Sequence, residues 1–275
     1  SLLNPDSGEN PVKFMRWEKI DFFYERVNVS GHTLDEMILK FEPDFSAYKL
    51  HYFIQIEQKS FLKEDIDTLG DNEAIIICDF AERFTTRARR EIQSSYFGKK
   101  QISLFTVKLY IGSNDYSYVI ASDEKNQSKF TVYAYLDRII EIAKDLNPIL
   151  THVKVYSDGC AGQFKNRFMM FNLLHAPNDF GVTLEWNFFG TGHGKSACDG
   201  LGAIVKRGVH RKVLGDDTRV YYASEFVSCA STFVQKIEVF EMSETKIDSR
   251  IKFLKNRWAN VPKTVVVFVK PLKKL

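Results

Sequence analysis

The chain has 275 residues, 44% hydrophobic and 27% charged, an ordinary globular balance with ample material for a core. Its formal charge of +3 is too small to identify a nucleic-acid partner, because binding depends on where the charge sits. The four cysteines, Cys78, Cys160, Cys198 and Cys229, form no CxxC pair and no disulfide-like spacing, so a disulfide-stapled scaffold is excluded and a reducing intracellular compartment is expected. The run Val265-Val266-Val267-Phe268-Val269 is only strand-sized, and Ser1–Gly8 lacks a basic start and an apolar signal core, so no membrane partner is expected. A chain opening on Ser1-Leu2-Leu3 without Met is expected to be a piece of a longer protein, with targeting or DNA-binding segments elsewhere.

Taken in chain order, residues 1–12 read as a flexible lead and Phe14 to Leu69 as mainly helical. Thr33 and Glu36 stand at capping-box spacing at a helix start. Asp67 to Asn72 is turn chemistry, which sets a boundary between an N-terminal helical region, 1–72, and a core beginning at residue 73. Ala74 to Phe80 is an apolar run of strand length, suited to a central buried strand. Gln101 to Ile111, the turn Gly112–Asp115 and Tyr116 to Ala121 read as a hairpin.

Thr131 to Leu146 has helical spacing and stops at Asn147-Pro148. His152–Tyr156 and Val182–Phe189 read as strands, and Gln163–Leu174 and Asp199–Leu214 as helices, the last with a basic face. Three strands, helix, strand, helix, strand, helix (βββαβαβα) is the order of the ribonuclease-H-like α/β fold, here with a mixed five-stranded sheet over 73–214. Residues 215–275 form an α/β extension, with a strand near Arg219–Glu225, a helix near Ser249–Trp258 and a closing strand at 264–269.

Three acids sit at corners of that order: Asp79 in the first strand, Asp158 closing the fourth, and Asp199 opening the last helix. A charge inside an isoleucine-rich strand is costly unless paired or metal-bound, which singles out Asp79. Asp158 also fits a plain Ser-Asp-Gly turn, and Asp199 also fits a helix cap. Gathered together, the three carboxylates make an oxygen-rich site for two Mg²⁺ or Mn²⁺ ions, the tools of phosphodiester chemistry. Glu185 is the alternative third ligand. Asp199 is preferred because the third acid of such folds usually comes from the helix after the fifth strand.

The segment Gly190–Gly200 is glycine-rich, but Phe189 stands where a P-loop requires Gly. Within it, His193 can orient an attacking water and Lys195 can offset phosphate charge, or His193 is simply a hydrogen-bonded loop residue. Zinc held by His193, Cys198 and Cys160 would lack any standard ligand spacing. Basic residues cluster at Arg83, Arg87, Arg89 and Arg90, and again at Lys206, Arg207, His210, Arg211 and Lys212. With Lys165, Asn166 and Lys195, the second cluster marks a path for a nucleic-acid backbone past the acids. A charge run is also a common solvated face, and Asn166 equally suits the first turn of a helix.

The motifs Cys78-Asp79-Phe80-Ala81-Glu82, Glu91-Ile92-Gln93-Ser94, Ser157-Asp158-Gly159 with Gln163–Asn166, and His193-Gly194-Lys195 with Asp199–Gly202 and Val205-Lys206-Arg207 follow one another in a fixed order. Together they resemble eukaryotic transposon-derived proteins with ribonuclease-H-like catalytic domains of the DDE/DDD transposase class, over roughly residues 74–210. The resemblance implies DNA cleavage by activated water and strand transfer by a 3′-hydroxyl, with two Mg²⁺ or Mn²⁺ ions and no small-molecule cofactor. Asp79, Asp158 and Asp199 would match the three acids, the third being Asp where Glu is commoner. It further implies transposon-end and target DNA as partners, a homo-oligomer and a nuclear location. Two rival functions stay open: a ribonuclease-H-like nuclease, and a host-adopted DNA- or protein-binding derivative without catalysis.

Overall fold

A computed structural model describes residues 12–86, 99–190, 197–215 and 218–264. The expected flexible lead, the motif at 91–94, Arg87, Arg89, Arg90, the loop bearing His193 and Lys195, and most of the closing strand lie outside the described residues. The chain divides into two compact units, Ser1–Glu57 and Gln58–Leu275. Among the described residues no helix is long and apolar enough to cross a membrane.

The first unit opens with an antiparallel hairpin of β1 (Val12–Ile20) and β2 (Phe23–His32). This corrects the expected mainly helical run from Phe14. Aromatic residues mixed with Lys and Glu satisfy helix and strand alike, and the deciding signal is the two-residue turn after Ile20. There Asp21 takes a φ of 54°, a left-handed conformation that Asp tolerates, and Ile20 pairs with Phe23 across it. Helix α1 (Leu34–Asp67) comes next. It opens on the predicted capping box: the Glu36 N–H donates to the Thr33 hydroxyl at 3.3 Å, and the Thr33 N–H to the Glu36 carboxylate at 2.9 Å. The division between the two compact units falls inside this helix, at 57/58.

The second unit is a mixed α/β structure. Its strands are β3 (Glu73–Thr85), β4 (Gln101–Ile111), β5 (Asn114–Ser122), β6 (His152–Ser157), β7 (Thr183–Phe188) and β8 (Glu238–Glu241). They lie in the order β7-β6-β3-β4-β5-β8, with β3–β4 and β4–β5 antiparallel and the other neighbours parallel. The expected βββαβαβα sequence is present, with α2 (Lys129–Leu146), α3 (Arg167–Phe180) and α4 (Ala197–Gly215) in the expected places. Helices α5 (Ala223–Ala230) and α6 (Glu244–Trp258) belong to the C-terminal part. The five strands expected over 73–214 are present, and among the described residues the short β8 of the C-terminal part adds a sixth beside β5. One expectation is corrected: the region near Arg219–Glu225 gives way to α5 instead of a strand. The apolar residues Ala223, Phe226 and Ala230, spaced three and four apart, are buried along one face of α5.

The sheet carries helices on both faces. Alternate residues of β3 and β4 (Ile76, Cys78, Phe105, Val107) face a core shared with α2, α3 and α6. The opposite side packs Leu104, Val119 and Ala121 against Val205 and Val209 of α4 and Phe226 of α5. The β3–β4 register shifts between Ala81 and Phe84, which adds one residue to β3. The shift reverses the alternation, so Phe84 joins Ala81 on the α4–α5 side. Gly112, at a φ of 54°, makes the tight β4–β5 turn, with Ile111 opposite Asn114.

Candidate active site around Asp79

Asp79 sits two residues before the β3 irregularity, on the face turned to α4. Its row in the sheet is set by the register. Ile75 pairs with Lys154 and Ile77 with Tyr156, so β6 runs beside β3 toward Asp79, and Asp158, just past the end of β6, lies near enough for its charge to be felt there. Asp158 lies one residue past the end of β6, at the carboxyl edge where open α/β sheets collect ligands.

The first turn of α4 is fixed over the same spot. The Cys198 thiol donates to the Ile77 carbonyl at 3.2 Å. At Gly202 an added Cβ would stand 2.7 Å from the Ala81 Cβ, so only glycine allows the helix this close to β3. Contacts two residues before and two residues after Asp79 thus bracket it, and Asp199 lies between the two helix anchors. The carboxylates feel one another. Burial, the Asp158 charge and, more weakly, the Asp199 charge push the Asp79 carboxyl up to about 7, against one opposing hydrogen bond from the Phe80 N–H at 2.8 Å. Asp199 is exposed and stands inside the first helical turn, where a carboxylate meets the positive end of the helix dipole.

Glu185 occupies a different place. It pairs with Lys154, in the row of Ile75, two strands over and four residues along from Asp79, and so roughly 16 Å away. His152, 3.8 Å off, and the Asn187 carboxamide at 3.1 Å hold its carboxyl down at about 2. Its charge is satisfied there, too far from Asp79 to share an ion.

The loop after Asp158 is pinned from beneath. The Trp186 indole donates to the buried Ser157 hydroxyl at 2.9 Å, and Phe164 is fully buried against Phe80 and Trp186. Asn166 caps α3, accepting from the Met169 N–H at 3.1 Å and donating to the Ala161 carbonyl at 3.0 Å. Both ends of its carboxamide are engaged, so it shapes the loop that carries the exposed Lys165. Lys165 holds its ammonium 5.5 Å from the Phe188 ring at the end of β7.

Positions not foreseen in the sequence brace this edge from α1. Gln58 donates to the Phe188 carbonyl at 3.1 Å and accepts from the Gly190 N–H at 2.7 Å, which fixes the chain as it enters the glycine-rich loop. Asp65 accepts from Lys154 at 3.0 Å and from the Tyr156 hydroxyl. Only their contacts reveal them, because a polar residue on a long charged helix carries no distinguishing signal.

The basic residues of α4 separate. Lys206 pairs with Glu82 at 3.1 Å, and Lys212 lies half-buried on the helix. Arg207 and Arg211 line a groove of about 1160 Å³ between α4 and the β4–β5–β8 side of the sheet, with Lys108, Lys236, Asp115 and Glu238.

Hard carboxylate oxygens suit Mg²⁺ or Mn²⁺. Among the described residues, however, no three His, Cys, Asp or Glu side chains are gathered closely enough to hold a metal ion. Asp79 and Asp158 supply two such carboxylates that feel each other's charge, and the exposed Asp199 stands nearby without completing a three-ligand cluster.

No curated protein matches this chain. Among solved structures, the human cytomegalovirus terminase nuclease domain, Mn soaked and inhibitor bound, is 8% identical with a TM-score of 0.27, covering 70% of this chain and 80% of that one. A second structure of that human cytomegalovirus domain is 10% identical with a TM-score of 0.26, covering 74% and 86%. Likeness at this level leaves the architecture to rest on its own strand order. A family model matches residues 58–268, beginning where the second compact unit begins. The chain belongs to that family, described as a domain of unknown function, DUF8701.

Proposed function

We propose that the second unit is a metal-dependent phosphodiester-cleaving enzyme of the ribonuclease-H-like class, and that its specific chemistry is DNA cleavage and strand transfer of the DDD transposase type. The observation that supports this reading is the neighbourhood of Asp79: β6, which Asp158 follows, pairs with the same strand, two contacts hold the first turn of α4 against that strand, and the charges of Asp158 and Asp199 raise the Asp79 carboxyl. The strand order β7-β6-β3-β4-β5, built by βββαβαβα, supports the fold assignment.

Asp79 and Asp158 would hold a divalent ion, with Asp199 completing the shell from α4. Two such ions, when bound, supply an activated water or 3′-hydroxyl and stabilise the leaving oxygen. The protein's own part is to hold the carboxylates at fixed spacing on a rigid sheet edge, with Asp79 half-buried. Lys165 and the arginines of α4 offer positive charge to a nucleic-acid backbone. DNA as partner, Mg²⁺ or Mn²⁺ as cofactor and a nuclear location belong to this proposal.

Labelled DNA ends and a plasmid target, incubated with the protein and Mn²⁺, test it. Cleavage and joining that vanish in Asp158→Asn are expected. Cleavage without joining would assign a plain nuclease, and cleavage unchanged in Asp158→Asn would remove the site. The lack of a ready three-ligand cluster among the described residues favours one second reading, a non-catalytic DNA-binding derivative. DNA binding with no cleavage in Mg²⁺ or Mn²⁺ would establish it.

A further inference from the structure

Helix α1 carries an exposed apolar seam. Leu34, Ile38, Phe41, Phe45, Tyr48 and Tyr52 recur at spacings of four and three, the repeat that keeps one stripe of a helix facing a partner helix. None of the helix's described residues is buried, and Ile38, Phe41, Phe45, Tyr48 and Tyr52 are 43–58% exposed. Along the stripe Phe41 stacks on Phe45 at 5.5 Å and Tyr48 on Tyr52 at 6.1 Å, so the surface is preformed. Leu39, Leu50 and Phe53 lie outside the stripe and add further exposed apolar surface.

We propose that this seam is a homodimer interface in which α1 of a second copy packs antiparallel, on a two-fold axis between Ser46 and Ala47. The chain's own pattern specifies the occupant. About that axis Phe45 meets Tyr48 of the partner subunit and Phe41 meets Tyr52 of the partner subunit, so each layer sets Phe against Tyr. The flanks match as well. On one side Glu42 faces Lys49 of the partner subunit, on the other Asp44 faces His51 of the partner subunit, and symmetry repeats each pair. A parallel pairing would bring together only Asp44 and Lys49, and would set the helix dipoles side by side.

The area is also adequate. Four aromatics at about half exposure offer roughly 400 Å², and Leu34, Ile38 and the flanking side-chain stems bring the face toward the ~800 Å² per partner of a stable interface. The inference concerns Leu34–Ile56 and stands independently of the proposed catalysis.

Light scattering on the full chain after size exclusion tests it, with twice the 31.8 kDa chain mass expected. Phe45→Glu with Tyr48→Glu should give monomers that keep the wild-type unfolding transition of the second unit. Glu42→Lys and Lys49→Glu should each weaken the dimer roughly tenfold, and the double exchange should restore it. A monomeric wild type, or a dimer indifferent to Phe45→Glu, overturns the proposal. Failure of the double exchange to restore the dimer overturns the antiparallel pairing.

Discussion

The Cys198 thiol donates to the Ile77 carbonyl across 3.2 Å, tying the first turn of α4 to the strand two residues before Asp79. Both groups are buried, so the bond cannot be replaced by water. Cys198→Ala should cost about 1–2 kcal/mol in urea unfolding, the toll of a lost hydrogen bond and a small cavity. It should also loosen Asp199 and lower metal-dependent cleavage more than it lowers stability.

Asp79 makes stability fall as pH rises. Its folded carboxyl titrates at about 7, above the usual 3.8, so the folded chain holds this proton more tightly than the unfolded chain. The stabilisation from this group is full below about pH 4, is lost through pH 7, and changes little beyond. Asp79→Asn should therefore match wild type near pH 4 and melt higher than wild type at pH 8. Mn²⁺ should raise the wild-type melting temperature more at pH 8 than at pH 5, and should leave Asp79→Asn unmoved. Thermal melts across pH, with and without the ion, check both signs.

Gly202→Ala sets helix propensity against packing. Alanine favours a helix by about 1 kcal/mol over glycine, but here its Cβ would stand 2.7 Å from the Ala81 Cβ. The helix must back away from β3, at a net cost of roughly 1–3 kcal/mol. A Gly202→Ala protein as stable as wild type in urea would show that α4 is not held this closely.

Glu185→Gln and Asp199→Asn separate the two candidates for the third acid. Loss of an ion ligand removes several kcal/mol of transition-state stabilisation, so Asp199→Asn should lower cleavage by on the order of 10²-fold or more. Glu185→Gln should keep cleavage within about threefold, because its charge is taken up by His152, Asn187 and Lys154. Single-turnover cleavage rates decide the matter.

The α2–α3–α6 layer is fastened by Asp179. Burial works to raise its carboxyl, but hydrogen bonds from Arg257 and Tyr133 win and hold it below the usual range. Arg257 Nη2 donates at 2.7 Å and the Tyr133 hydroxyl at 2.7 Å. A depressed carboxyl contributes stability above pH 4 that is lost as pH falls below it. Arg257→Leu should cost about 3–5 kcal/mol at neutral pH, and the cost should shrink on acidification. Tyr133→Phe should cost only about 1 kcal/mol.

The central order of strands and helices was legible because its signals are local and strong. The isoleucine run of β3, the Gly112 turn, the helical spacing of α2 and the short apolar runs of β6 and β7 all lie where expected. The hairpin before α1 was hidden because its aromatic residues fit either period, and β8 because four residues paired only through β5 carry too little pattern. For the acids, residue type and position in the order pointed to Asp79, Asp158 and Asp199. How near they come to one another depends on register and on a glycine-permitted helix approach, which no sequence window contains. Asn166 suits either a nucleic-acid contact or the first turn of a helix in the sequence, and in the fold its carboxamide caps α3.

The short β8 has a last consequence. Among the described residues, the sheet begins in a six-residue strand and ends in a four-residue one. Borders this brief give a neighbouring chain little backbone to zip onto, and β7 carries Glu185 and Asn187 along its length. Among the described residues these borders are thus poorly suited to extension of the sheet from molecule to molecule, which favours side-chain faces over backbone for any contact between copies.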